Sequence, residues 1–223
     1  MSYGLSRGKP LITEGSGITQ AEIPHWDLAR PETQWIDPRT WFSIPARPME
    51  IEIGAGKGTF LIQQAQLKPE VNYLAFEWAG EFFRYAADRL RRRGLDNALL
   101  VHTDATEFIR YRLISSIIPV IHLYFSDPWP KSRHHKRRVV QDQSLREFHR
   151  VLEPGGELRL VTDHPDLWAW YEEHAARHAD LFDRNPFEAP ESAGDGELVG
   201  SNFERKYRVE GRPFHGMTLR KRT

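Results

Sequence analysis

A mostly parallel α/β sheet of seven strands, with helices on both faces and a closing antiparallel hairpin, is the fold this sequence predicts, and three observations carry it. Short β-branched or alternating runs take turns with longer amphipathic stretches from Met49 onward, the pattern that builds a parallel sheet from strand-helix units. The first run opens into the glycine-rich turn Gly54-Ala55-Gly56-Lys57-Gly58, a common start of a nucleotide-binding unit. Acidic side chains then recur at the predicted strand ends, the edge at which such sheets bind ligands.

Residues 1–48 carry Pro24, Pro31, Pro38, Pro45 and Pro48 with Trp26, Trp35 and Trp41 between them, too broken for a long helix and too aromatic for a disordered tail. They read as an arm, with tryptophan anchors, packed on a domain that occupies residues 49–223. Met49-Glu50-Ile51-Glu52-Ile53 alternates as a strand, and a helix through Phe60, Leu61, Gln64 and Ala65 follows the glycines. Residues 71–76 form the second strand and end at Glu77. The next helix aligns Ala79, Phe82, Phe83, Ala86, Ala87 and Leu90 on one face and gathers Arg89, Arg91, Arg92 and Arg93 at its negative end before Gly94, a structural placement for those cations. Residues 98–102 are the third strand, with Asp104 after it and a helix over residues 106–116.

The fourth strand, residues 120–125, is short, β-branched and aromatic and stops at Ser126-Asp127-Pro128-Trp129-Pro130. Two prolines fix φ and bias the residues before them away from helix, so Asp127 and Trp129 are expected on a stiff, extended loop. The cations Lys131, Arg133, Lys136, Arg137 and Arg138 follow directly, with His134 and His135 among them. A helix over residues 139–152 leads to Pro154-Gly155-Gly156 and to a fifth strand, residues 157–162, ending at Asp163. Pro165 opens a helix burying Leu167, Trp168, Tyr171 and Ala175. Residues 185–200 read as a long mobile loop, and residues 202–209 and 214–220 as the two strands of the closing hairpin.

Composition narrows the function classes. Lys+Arg 31 against Asp+Glu 31 leaves no net charge, so affinity for nucleic acid has to come from local segregation of cations, which residues 131–138 supply. Without cysteine there is no disulfide, thiolate metal site or thiol nucleophile. No apolar stretch has the length of a signal or membrane span, which makes the cytoplasm the expected location, with no membrane partner. Adjacent histidines without a neighbouring acid or cysteine make a poor zinc site, so no metal is expected.

The carboxylates Glu52, Glu77, Asp104, Asp127 and Asp163 all fall at strand ends, an edge suited to a ligand that is cationic or rich in hydrogen-bond donors. A dinucleotide fits poorly: counting from Gly54, the third glycine of G-x-G-x-x-G would fall at Thr59. A P-loop is missing too, since Lys57 is followed by Gly58. S-adenosylmethionine suits such an edge, with an acid for its ribose hydroxyls, glycines beside its amino-acid part and an acid for its ammonium group.

With those residues in place, the sequence resembles class I S-adenosylmethionine-dependent methyltransferases, which have a Rossmann-like fold, and more narrowly the bacterial tRNA (guanine-N7-)-methyltransferase family. The narrow match rests on Asp127-Pro128-Trp129-Pro130-Lys131 followed by Arg133-His134-His135-Lys136-Arg137-Arg138, supported by residues 52–58, by Thr162-Asp163 and by Ser201-Asn202-Phe203-Glu204. The resemblance implies donor contacts from Glu52, Gly54, Gly56, Gly58, Glu77, Asp104 and Asp127, with Asp127 also the catalytic residue. It implies substrate guanosine contacts from Lys131, Asp163, Ser201, Asn202, Phe203 and Glu204, and tRNA contacts from Arg133, His134, His135, Lys136, Arg137 and Arg138. Ser201 stands where the family commonly has Thr, and His102 where an Asn is frequent. The partner is then tRNA, and neither a monomer nor a homodimer is favoured.

Guanine N7 carries a lone pair and no proton, so methylation there needs orientation and charge stabilisation rather than a base. A stacked base is poorly reachable, and Trp129 is placed to stack on an accessible or flipped one. Two other readings stay open. Asp127-Pro128-Trp129 also resembles the Asp-Pro-Pro-aromatic motif of exocyclic-amino methyltransferases of RNA or DNA, although its third position differs. The fold could also serve a non-catalytic RNA-binding protein, for which the intact set Glu52, Gly54, Gly56, Gly58 and Glu77 would have no purpose.

Overall fold

The computed structural model describes Leu5 and residues 10–223, except for the side chain of Asn202; the rest of the predicted arm, residues 1–4 and 6–9, lies outside the described residues. Two units divide the chain, Met1–Ile114 and Ser115–Thr223.

In the first unit the elements are β1 (Gly17–Ile18), β2 (Met49–Ile53), α1 (Thr59–Leu67), β3 (Asn72–Phe76), α2 (Gly80–Arg91), β4 (Ala98–Val101) and α3 (Ala105–Tyr111). The strands run parallel in the order β1-β4-β3-β2. β3 is buried at all five positions, as expected of a strand covered on both faces. Tyr73 and Ala75 point into a core with Leu61 and Ile62 of α1 and Phe83, Ala87 and Leu90 of α2. Phe76, of opposite parity, meets Phe108 of α3 at 5.2 Å between ring centroids. The arm is tied down in this unit by Arg112, which donates to the Gln34 carbonyl at 2.8 Å and to that of Pro24 at 2.6 Å. Trp41 packs on Phe108 at 6.1 Å, and Trp26 and Trp35 are more than two-fifths exposed. β1 escapes sequence reading because it is two residues long. Gly17 is required there: a Cβ would lie 2.9 Å from the Phe83 ring.

The second unit contains β5 (Ile118–Tyr124), α4 (Asp142–Val151), β6 (Leu152–Thr162), α5 (Pro165–Arg177), β7 (Phe182–Pro186), α6 (Asn202–Arg208) and β8 (His215–Lys221). β5 and β6 pair in parallel, and β8 lies antiparallel to both β6 and β7. The described residues thus hold eight strands rather than the seven predicted. The hairpin partner of β8 is β7, and residues 202–208, predicted as a strand, are helical. The helix starts because Ser201 caps it, its hydroxyl accepting the Glu204 N–H at 3.1 Å, and it brings Phe203 against Tyr207 at 4.5 Å, an i,i+4 pair. β7 was not legible because only Phe182 is buried along it and Pro186 ends it, so it shows no alternation.

Candidate functional site

The donor-binding residues expected from the sequence, apart from Asp127, lie in the first unit. Gly54, Gly56 and Gly58 all have positive φ, between 53° and 82°, a region where a side chain is strained, so the turn between β2 and α1 follows directly from composition. Gly54 and Ala55 donate their N–H groups to the Phe76 carbonyl at 2.9 and 3.1 Å, which fastens the loop to β3. Glu77 fastens it again: one carboxylate oxygen accepts the Gly56 N–H at 2.7 Å and the other that of Ala79 at 2.8 Å. Arg89 of α2 donates to the Lys57 carbonyl, and Arg91 and Arg92 pair with Asp88 at 3.2 and 2.9 Å, so these arginines are structural, as their helix position suggested.

Glu52 differs from its neighbours. It is 6% exposed and its Oε2 is buried without a partner. Burial pushes its carboxyl up to about 8, the charge on Glu77 adds to the shift, and the Leu61 N–H opposes it. A buried carboxylate oxygen without a donor costs free energy until a donor arrives, so this geometry fits an ammonium or N–H group from a ligand. Beside Gly54 and Gly56 a Cβ would meet nothing within 4 Å, which leaves room along the loop. Asp104 is the N-cap of α3: a single oxygen, Oδ1, accepts from Thr106 N at 2.8 Å, Thr106 Oγ1 at 2.6 Å and Glu107 N at 3.1 Å. His102, at the position of the frequent Asn, stacks on Phe83 at 4.9 Å and bonds the Trp78 carbonyl at 3.1 Å. Trp78 itself is 68% exposed directly after Glu77, a candidate ligand contact the sequence reading passed over although an aromatic next to a strand-end acid was visible.

The expected catalytic and RNA-facing residues lie in the second unit. Asp127 is exposed just beyond β5, in a loop less extended than expected: Phe125 and Trp129 have φ of 55° and 44°. Non-glycine residues there cost on the order of 1–3 kcal/mol each, so surrounding contacts must hold the conformation. Ser126 Oγ lies 2.9 Å from the Tyr171 hydroxyl, and Arg138 Nε donates to the Pro128 carbonyl at 2.9 Å.

The basic run is a 3-10 helix, Ser132–Arg137, with Lys131 at the position before it. With three residues per turn, side chains three apart share a face. His134 and Arg137 flank the Trp129 ring at 5.8 and 4.9 Å, while His135 and Arg138 flank Trp170 at 5.4 and 4.8 Å. Arg133 and Lys136 face solvent, and Lys131 and Arg137 are exposed as well. Arg138, by contrast, is 4% exposed.

Among the expected guanosine contacts, Asp163 is ion-paired with Arg212 at 2.8 Å, and that guanidinium also lies 3.7 Å from the centre of the Tyr207 ring. Phe203 is 37% exposed and packs on Phe125 at 4.8 Å. Ser201 caps α6; Asn202 opens it, and the expectation for its side chain falls outside what is described. Glu204 is fully buried and accepts the N–H groups of Leu198, Val199 and Gly200 at 2.6 to 2.9 Å and the Arg208 guanidinium at 2.8 Å. Its acceptor capacity is spent on the loop before α6, so in place of the expected direct contact it organises the segment that carries Ser201 and Phe203. Among the described residues there is no cluster of three or more metal-ligating side chains, and no helix is long and apolar enough to cross a membrane.

Among solved structures, the chain is similar to the 16S rRNA methyltransferase KamB, with TM-score 0.56 and 16% identity over 84% of this chain and 94% of the other. It is also similar to an S-adenosylmethionine-dependent methyltransferase of Aquifex aeolicus, with TM-score 0.51 and 11% identity over 78% and 80%. These likenesses establish the fold, Rossmann-like with a mostly parallel sheet and a C-terminal antiparallel pair. Curated proteins named tRNA (guanine-N(7)-)-methyltransferase align closely in sequence. That of Nitrobacter hamburgensis is 34% identical over 78% of this chain and 68% of its own length, and that of Limosilactobacillus fermentum 32% identical over 84% and 89%. That of Agrobacterium fabrum is 30% identical over 99% and 94%. The family model described as "Putative methyltransferase" matches residues 46–215, which include the glycine loop, Asp127 and the 3-10 helix behind it. With that match and those relatives, the chain belongs to the tRNA (guanine-N(7)-)-methyltransferase family.

Proposed function

We propose that this protein transfers a methyl group from S-adenosylmethionine to N7 of a guanine in the variable loop of tRNA, in the cytoplasm. The observation that carries the reading is the segment behind β5, where an exposed acid is followed by a 3-10 helix that turns Arg133, Lys136 and Arg137 outward. Cations segregated in this way on a chain with no net charge suit a phosphate backbone. Lys131, Arg133, His134, Lys136 and Arg137 are the tRNA-facing set, with His135 supporting them from the Trp170 side.

The donor supplies an electrophilic methyl group on a positively charged sulfur. Glu52 would hold its ammonium group, the turn at Gly54, Gly56 and Gly58 would lie beside its amino-acid part, and Glu77 would take the ribose hydroxyls. Asp104, whose Oδ1 is committed to the helix cap, would offer Oδ2. Methylation at guanine N7 would leave positive charge on the base. Asp127 stabilises that charge and orients the base; no proton has to be removed. Trp129, Phe203, Asp163 and Ser201 would bind the guanosine, with Glu204 holding the loop that presents two of them.

Methylation at N7 leaves a fixed positive charge that exposes the nucleoside to borohydride reduction, after which aniline breaks the strand. Unmodified tRNA incubated with protein and donor is expected to break at one variable-loop guanosine. Methyl incorporation with intact strands would reject N7 in favour of an exocyclic amino group, and no incorporation would reject the enzyme reading.

A further inference from the structure

Sequence type groups Arg138 with the cations before it, and the structure separates it from them. It is 4% exposed, its Nε donates to the Pro128 carbonyl, its guanidinium lies over Trp170, and its second terminal nitrogen is buried without a hydrogen-bond partner. Burial lowers its pKa, against the opposing charge of Asp166. Trp170 is itself pinned, its indole N–H donating to the Val140 carbonyl at 2.7 Å. The Pro128 carbonyl belongs to the peptide that leads into left-handed Trp129, and at the other end of the loop Ser126, after left-handed Phe125, bonds the Tyr171 hydroxyl. Asp127 therefore sits between two strained residues, and each half of its loop is tied to an α5-backed anchor.

We infer that Arg138 is a positioning residue: it holds the peptide after Pro128 so that Asp127 and Trp129 keep the conformation in which they meet the guanine, and it makes no contact with tRNA phosphate. The geometry asks for arginine rather than lysine, because a planar fork can bond the carbonyl and stack on Trp170 together, whereas an ammonium does only the first. The catalytic consequence rests on the function proposed above; the mechanical one does not.

Three measurements on Arg138→Gln, Arg138→Lys and Tyr171→Phe test this against Arg133→Gln as the exposed counterpart. Hydrogen exchange at the amides of Ser126, Asp127, Trp129 and Lys131 is expected to quicken in Arg138→Gln and, to a smaller degree, in the other two anchor variants. Turnover should fall by up to about 10²-fold, the scale on which small misplacements act, with KM for tRNA within twofold of wild type. The salt dependence of tRNA binding should stay unchanged, while Arg133→Gln loses up to about 0.9 units of slope for one duplex phosphate. Unchanged exchange together with a reduced slope in Arg138→Gln would overturn the inference and return the residue to the phosphate-binding set. If Arg138→Gln fails to fold, Arg138→Lys and Tyr171→Phe, which keep charge and ring, decide the same point. If the wild type makes no 7-methylguanosine, the functional reading fails by itself, and hydrogen exchange still decides whether Arg138 holds the loop.

Discussion

The turn between β2 and α1 and the loop after β5 solve one problem in opposite ways. Each must lead the chain out of a buried strand through left-handed backbone. The first does so with Gly54, Gly56 and Gly58, which adopt such angles without steric cost, and it is fastened by backbone N–H groups donating to Phe76 and Glu77. The second uses Phe125 and Trp129, which resist those angles, and depends on Tyr171 and Arg138 from elsewhere in its unit. A loop whose shape comes from composition can be read from sequence. One whose shape comes from distant contacts needs the structure, and its geometry fails when a distant residue changes.

The largest effect expected from breaking this comparison is at Asp127. Asp127→Asn keeps the shape of an exposed side chain and removes only its charge, so the melting temperature should be unchanged. Loss of one preorganised electrostatic contact commonly lowers turnover by about 10²–10³-fold. Single-turnover methylation beside a thermal melt measures both. Full activity in the Asn variant would mean that Asp127 works through hydrogen bonding or shape alone.

Next in size is Glu52, buried in β2 just ahead of the glycine turn. Its carboxyl is raised from 4.5 to about 8 by burial and by Glu77. Between those values the folded chain holds a proton that the unfolded chain has lost, so stability falls as pH rises across the window, by about 1.4 kcal/mol per unit. Glu52→Gln removes that dependence. It should melt higher than wild type at pH 8, by about 2–4 °C per kcal/mol in a chain of this size, with the gap closing towards pH 4.5. Donor binding should move the other way. Wild-type affinity is expected to rise between pH 6 and 7.5 as the carboxylate becomes available to an ammonium, and calorimetry on Glu52→Gln should give a flat, weaker profile. A pH-independent melting difference would place the Glu52 carboxylate outside this linkage.

The same contrast explains what was legible. The glycine spacing, the strand-end acids and the run from Asp127 onward are local, and each lies where the alternation of strands and helices puts it. The residues misread are those whose partners are remote or whose local signals conflict. Residues 202–209 read as one strand of the closing hairpin, although Ser201 three residues before Glu204 is also a helix-start signal, and in the structure the cap prevails. Glu204 looked like one more ligand-binding acid, because nothing in its type reveals that three backbone N–H groups of residues 198–200 converge on it. Arg138 is indistinguishable from Arg137 by chemistry; only the three-residue period of the 3-10 helix turns one towards Trp129 and the other inward against Trp170.

The smallest effect is the one that compares the two loops most directly, through opposite substitutions at matched angles. Gly56→Ala puts a side chain at φ 53°, with nothing within 4 Å of its Cβ, so backbone strain alone acts and should cost about 1–2 kcal/mol. Trp129→Gly at φ 44° relieves a similar strain but gives up the Arg137 and His134 contacts with the indole, each worth about 0.5–1 kcal/mol at a partly exposed site. The two terms nearly cancel, so this variant should melt within about 1 kcal/mol of wild type, whereas Gly56→Ala melts measurably lower. Activity should separate them in the reverse order: Trp129→Gly loses the stacking surface for the base and slows methylation with donor affinity intact, while Gly56→Ala weakens donor binding first. A large stability loss in Trp129→Gly would show that the indole holds the loop through its contacts more strongly than its left-handed backbone strains it, and the two turns would then differ less than their composition implies.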